Sequence, residues 1–333
     1  MNKLRLGYLL IGILLFLYVL QHVSISEVLS YLVLMGWTVL LVLAIYFSAF
    51  LVDSLSWQLI LGRFRFNFRG IYELWKIRMI GEAFNSATPL GSLGGEPVKA
   101  FILKRKHSIG YREAIASQIL AKTTNLLGML IFLTIGLIFV LGSELPVAYK
   151  ASAITGLAVF STAIILFFLV QRYKITSLTG TFFTPVKLKD KLNRFLKQVH
   201  GMEDKLIDFY AGHTGKFCLA LFLSILNWHI GVLELYAIMY FLGTPVTLEM
   251  AYIIEAAVQL VRAAGFIIPS ALGIQEGTFV LLISVITGDA SLGLAVAFVR
   301  RFRELVWIIW GMLLGWQYTG QGKLIAMARE VEN

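Results

Sequence analysis

Arg300, Arg301, Arg303 and Glu304 stand together in an otherwise apolar run that starts near residue 291. At 1.5 Å per residue they would lie roughly 15 Å deep in a membrane-spanning helix. A charge there costs a few kcal/mol unless it is paired or used. Two more polar sets share that property. Gln118, Lys122 and Asn125 follow i, i+4, i+7 spacing, as do Glu255, Gln259 and Arg262, so each trio lies on one helix face. Two further carboxylates, Glu96 and Glu276, sit just after helix breakers in "ATPLGSLGGEPVKA" (87–100) and "PSALGIQEG" (269–277). Glu82 and Asn85 precede the first of these stretches, and Lys99 lies near its end.

These residue types suit the recognition of a charged polar group. Lys122, Arg262 and Arg300 would attract a phosphate, with Arg giving planar two-point contact and Lys a point charge. Glu82, Glu96 and Glu276 would bind an amine, hold the cations or carry protons. Asn85, Lys99, Asn125, Glu255, Gln259 and Arg303 complete the candidate binding and transport set. Pro89, Gly94, Gly95 and Pro97 would shape one break in a helix, and Pro269, Gly273 and Gly277 the other. A plainer reading stands beside each of these. Buried Arg–Glu pairs such as Arg300 with Glu304 can simply lock helices together. Asn227 and His229 suit interhelical hydrogen bonds, and the glycines suit close helix packing.

Catalytic signatures are absent. Gly91, Gly94 and Gly95 lack the spacing of a phosphate loop, and no Ser or Thr follows Lys99. The five histidines form no H-E-x-x-H pattern, the aspartates are scattered, and no G-x-S-x-G elbow occurs. The single cysteine, Cys218, excludes a disulfide framework and a Cys-based metal site. No metal, cofactor or enzymatic activity is expected.

The elements that must position these residues follow from composition. Of 333 residues 58% are hydrophobic and only 14% charged, which a soluble domain does not show. The net charge of +10 therefore reflects basic loops and not nucleic-acid binding. Full spans are predicted near 6–21, 31–52, 113–142, 148–170, 217–242 and 291–317. The connections 21–30 and 243–248 hold no Lys or Arg, whereas 58–80, 104–112 and 171–216 are rich in both. The positive-inside rule then puts the basic segments and both termini in the cytoplasm.

That parity gives two mixed regions, about 71–103 and 248–288, ends on a single face each, the first cytoplasmic and the second external. Both read as re-entrant hairpins entering from opposite sides, an arrangement that builds central sites in transporters. Pro89 to Glu96 and Pro269 to Glu276 have equal spacing, a weak sign of an inverted repeat. Segment 171–216 includes "LKDKLNRFLKQV", which reads as an amphipathic helix on the inner leaflet. The chain is expected to form one integral membrane domain over residues 1–333, in the inner (cytoplasmic) membrane of the cell.

The stretch "GEAFNSATPLGSLGGEPVKAFILKRK" (81–106), the later "PSALGIQEG" and the buried arginine of the last span resemble the flippase-like integral membrane family. That family includes the N-terminal membrane region of lysylphosphatidylglycerol synthases, and the resemblance covers nearly the whole chain. It implies movement of an aminoacylated lipid between leaflets. It does not imply synthesis, because a chain ending at Asn333 has no room for the cytosolic transferase. One departure concerns the span after the first hairpin. Many relatives carry Glu-Arg there, where this chain reads "AKTTN" (121–125), a pattern similar to a branch tied to hopanoid lipids.

The resulting expectation is an all-α polytopic protein acting as a lipid flippase or lipid-carrier transporter. Its partners would be membrane lipids and, through them, lipid-synthesis enzymes. An embedded lipid-modifying enzyme with Glu96 or Glu276 as general base is a second reading, and a non-transporting subunit of a lipid-synthesis complex is a third.

Overall fold

The computed structural model describes residues 23–87, 94–172, 212–265 and 268–319, with Leu17, Leu20 and Gln21 before them. Most of the expected first span (6–21) and of the amphipathic segment 171–216, together with Pro89 and both termini, lie outside the described residues. All regular structure among the described residues is helical.

The helices run in chain order as α1 (Ile25–Met35), α2 (Val39–Leu61), α3 (Phe68–Ala87), α4 (Gly95–His107), α5 (Tyr111–Gly142), α6 (Val147–Arg172), α7 (Thr214–Phe241), α8 (Leu248–Ala264), α9 (Ile274–Thr287) and α10 (Ala290–Thr319). Among the described residues four stretches are long and apolar enough to cross a membrane: Ile25–Leu61, Tyr111–Gly142, Val147–Leu166 and Thr214–Phe241. The first replaces the expected span 31–52, and a 3-10 turn at Gly36–Thr38 divides it. The last expected span, 291–317, is the 30-residue α10, which has the length to cross but keeps its arginines in the middle.

The two mixed regions are helical pairs of a different kind. The 13 residues of α4 reach only about 20 Å, and the 14 of α9 about 21 Å, less than a 30 Å hydrocarbon core. Local chemistry sets their ends. Gly94 and Gly95 open α4, and Pro97 sits in its first turn, where a missing N–H costs nothing. Lys104, Arg105, Lys106 and His107 fill its last turn, where cations meet the negative end of the helix dipole. The side chain of Thr247 caps α8 by accepting from the Met250 amide at 3.2 Å.

Among the described residues, packing brings these elements around a small apolar centre at Ile60, Leu120 and Ala220 and two large ones. One joins α5, α7, α8, α9 and α10 through residues such as Phe132, Leu235, Ile254, Phe279 and Val296. The other joins α2, α3, α4 and α5 through Trp57, Leu74, Ile80, Leu103 and Ala114. The α10 helix packs against α9 and α3 and bridges the two halves.

The parity of the helices is directly testable. In a Cys218→Ser background, cysteines introduced at Lys106 and at Glu249 should react with a membrane-impermeant maleimide from opposite faces. Labelling of both from one face would overturn the parity on which the hairpin assignment rests.

Candidate functional site

Helix α10 carries the centre of a buried ionic network. Its arginines leave the helix in different directions, and each meets a different neighbour. The Arg300 guanidinium, 1% exposed, reaches Glu255 of α8 at 2.7 Å and donates to the Gly231 carbonyl of α7 at 3.0 Å. Glu234 of α7 stands 3.9 Å from Arg300 and pairs closely with Arg303. Arg303 also lies over the Tyr46 ring of α2, 3.7 Å from its centroid. Gln259 donates to Glu255 at 2.7 Å. Glu304 is shared by Arg301 at 2.8 Å, Arg303 at 3.7 Å and Arg262 at 3.8 Å. The pairing expected between Arg300 and Glu304 is therefore replaced. Glu304 serves Arg301 and Arg262, while Arg300 turns to α7 and α8. Four arginines (262, 300, 301, 303) face four glutamates (234, 255, 276, 304) in this network.

The break between α8 and α9 is held by Arg301. Its Nε lies 2.5 Å from Glu276 Oε1, and its Nη2 donates to the Ala271 carbonyl at 3.4 Å. The other Glu276 oxygen accepts from the Gly273 amide at 2.8 Å, capping α9. Pro269 opens a 3-10 turn in which Ser270 and Ala271 take positive φ, 54° and 48°. Left-handed backbone costs a side-chain-bearing residue about 1–2 kcal/mol. Gly273, at φ 78°, is where glycine is required. Gly277 donates its amide back to the Gly273 carbonyl at 3.0 Å. Arg301 thus holds this strained turn in place through Glu276 and the Ala271 carbonyl.

The first break has its own ion pairs. Glu96 pairs closely with Lys99 and meets Lys122 of α5 at 3.0 Å. Asn85 of α3 accepts from the Gly95 amide at 2.7 Å, tying the hairpin arms together, and its Nδ2 approaches Glu82 at 3.5 Å. A Cβ on Gly95 would fall 1.9 Å from the Gly81 carbonyl oxygen, so the two arms touch backbone to backbone. Gly94, with φ −66°, has ordinary helical backbone and is no hinge by conformation. Asp53 and Arg78 form a further close pair between α2 and α3.

The predicted set is thus gathered in two clusters. Glu82, Asn85, Glu96, Lys99 and Lys122 form one, and Glu255, Gln259, Arg262, Glu276, Arg300 and Arg303 the other. Glu96 and Glu276 bind different cations. Arg303 of the second cluster covers the Tyr46 ring of α2. Asn125 is held apart from these ion pairs, its carbonyl accepting from the Trp228 indole at 3.1 Å. His229 bonds to the Ile225 carbonyl at 2.8 Å and approaches the Tyr252 hydroxyl at 3.3 Å, a packing role.

Sequence reasoning missed Tyr46, Arg78 and Gln275. The last is fully buried, with neither side-chain atom hydrogen-bonded. Its place beside Glu276 in the broken segment was the available signal.

An apolar cavity of about 780 Å³ lies on the far face of the α8–α9 pair, lined by residues including Leu137, Tyr149, Leu157, Ile253, Leu260 and Leu281. Helix α8 therefore turns Glu255, Gln259 and Arg262 to the ionic network, and Ile253, Ala256 and Leu260 to the cavity.

Long apolar helices around broken helical pairs and a charged interior define a polytopic membrane protein. The chain belongs to the family described as lysylphosphatidylglycerol synthase TM region, whose family model matches residues 5–311. Membership ties it to membrane lipid modification or transport. No curated protein and no solved structure matches the chain.

Proposed function

We propose that this protein moves a phosphate-bearing or aminoacylated lipid, or a lipid carrier, between the leaflets of the cell's inner membrane. The observation that carries the reading is the two-faced α8–α9 hairpin, which has buried ion pairs on one side and an apolar cavity of about 780 Å³ on the other. An amphiphilic molecule needs both environments, a polar path for its headgroup and an apolar one for its tail. The short α4 and α9 helices fit re-entrant hairpins, and the positive-inside rule puts the basic face and both termini in the cytoplasm. Enzymes of lipid synthesis would supply the cargo.

Accessibility divides the cations by role. The side chains of Lys122 and Arg262 are 42% and 32% exposed, so both can meet a headgroup. Arg300 and Arg303 are enclosed by their glutamates and serve to hold the helices. Glu276 is engaged by Arg301 and by the helix cap, and Glu96 by two lysines. Neither carboxylate is placed as a free general base, which favours transport over the enzymatic reading.

Reconstitution into vesicles with a labelled anionic phospholipid tests this. Leaflet exchange above that of protein-free vesicles is expected, without chemical change of the lipid. Lys122→Gln should slow exchange roughly 10- to 100-fold, the equivalent of about 1.5–3 kcal/mol for a lost charge-assisted contact. Product formation would support the enzymatic reading. Neither exchange nor product would leave the partner-subunit reading.

A further inference from the structure

The turn between α2 and α3 reads "GRFRFNFRG" (62–70), an alternation of arginine and phenylalanine that the transport reading does not use. It folds around a polar pocket of about 620 Å³, whose lining includes Arg63, Phe64, Arg65, Arg69, Glu73 and His107. None of these residues belongs to the two buried clusters.

The charges in the pocket do not cancel. Arg63 is held by Glu113 of α5 through bonds of 2.5 and 3.0 Å. Glu73 is held by Lys76 at 2.6 Å. That leaves Arg65 and Arg69, both exposed, with no acidic partner among the described residues. The His107 ring is set edge-on to Phe64, 4.7 Å between centroids, and its Nε2 is buried without a hydrogen-bond partner. The alternation places aromatic rings at the same turn. Phe66 and Phe68 are 62% and 85% exposed, and Phe68 stacks on Tyr72 with centroids 6.2 Å apart. Phenylalanines left this open in a membrane protein suit the headgroup–tail boundary, where guanidinium groups can reach phosphate.

We infer that this turn is a second lipid site, separate from the transport path, in which Arg65 and Arg69 bind the phosphate of an anionic lipid headgroup while Phe66 and Phe68 enter the adjoining leaflet. Guanidinium–phosphate pairing gives the attraction, and the rings set the depth. The basic character of this face places the site on the leaflet that holds most anionic lipid in contact with positive loops. The site would anchor the entry to α3, the helix that carries Glu82 and Asn85 toward the first break.

The test uses the full-length protein purified in a neutral detergent, with short-chain phosphatidylglycerol, short-chain phosphatidylcholine and inorganic phosphate as probes in a binding titration. Saturable binding of phosphatidylglycerol is expected, with phosphatidylcholine much weaker. Arg65→Gln combined with Arg69→Gln should weaken phosphatidylglycerol binding roughly thirtyfold, about fivefold per arginine. Arg105→Gln, on the same basic face but outside the pocket, should leave it unchanged. Thermal unfolding of each variant confirms that the fold is intact. Unchanged binding in the folded double variant overturns the site. Equal affinity for inorganic phosphate would overturn the lipid assignment and make the pocket a soluble-phosphate site. Because the proposed transport path would also take an anionic lipid, the titration is repeated in a Lys122→Gln background, where binding that still falls on the double change belongs to the turn and not to that path.

Discussion

Arg300→Ala is expected to remove folded protein and not merely activity. The substitution leaves Glu255 without its 2.7 Å partner, weakens the surroundings of Glu234 and frees the Gly231 carbonyl, and Arg300, Glu234 and Glu255 are each about 1% exposed. Breaking a buried pair by removing one member costs about 3–5 kcal/mol, because an uncompensated charge remains. Against a typical total of about 5–15 kcal/mol this is decisive. The measurement is the yield of monodisperse protein and its unfolding temperature in detergent. Adding Glu255→Gln to Arg300→Met should recover part of the loss, since the stranded charge is gone and the two sites are coupled. A well-folded Arg300→Ala protein that fails only in lipid exchange would contradict this assignment and move Arg300 into the headgroup path.

The second large effect is expected at Gly95. An alanine there would put its Cβ 1.9 Å from the Gly81 carbonyl oxygen and 2.9 Å from the Gly81 Cα, and a backbone atom cannot swing aside as a side-chain tip can. The arms of the first hairpin must separate. That breaks the 2.7 Å bond from the Gly95 amide to Asn85 and moves Glu96 away from Lys122. Overpacking of this kind costs roughly 1–3 kcal/mol. The loss of leaflet exchange should exceed the loss of stability, because Lys122 depends on the position of the hairpin. Gly94→Ala is the internal control. Its φ of −66° suits any residue, and a smaller effect on both readouts is expected. Equal damage from the two substitutions would show that the close contact at Gly95 is not what matters.

The faces of the helices were legible in the sequence. Spacing alone placed Glu255, Gln259 and Arg262 together, and Pro and Gly located both breaks. The resemblance to the lysylphosphatidylglycerol synthase TM family was read from residues 81–106, 269–277 and the arginine of the last span, and the family model matches residues 5–311. Partners across helices were not legible. A helical repeat shows which side chains share a face but not which neighbour that face meets. Glu304 is the i+4 residue from Arg300, yet Arg300 pairs with α7 and α8 because the rotation of α10 points it there. Asp53 and Arg78 looked like a scattered acid and a basic loop residue, because their pairing depends on how α2 lies on α3. The touching glycines, 81 and 95, were equally hidden, since backbone contact leaves no periodic signature.

The ionic network around α10 contains four arginines and four glutamates. With all eight ionised it is electrically neutral as a unit. A single charge carried through a membrane potential of 100 mV gains or loses about 2.3 kcal/mol. Rocking of the α8–α9 hairpin and α10 as one body with α7, which supplies Glu234, would move none of this network's net charge through that field. Voltage would then act on the cargo alone, so an anionic lipid and its lysyl-bearing cationic counterpart should be driven in opposite directions by the same potential.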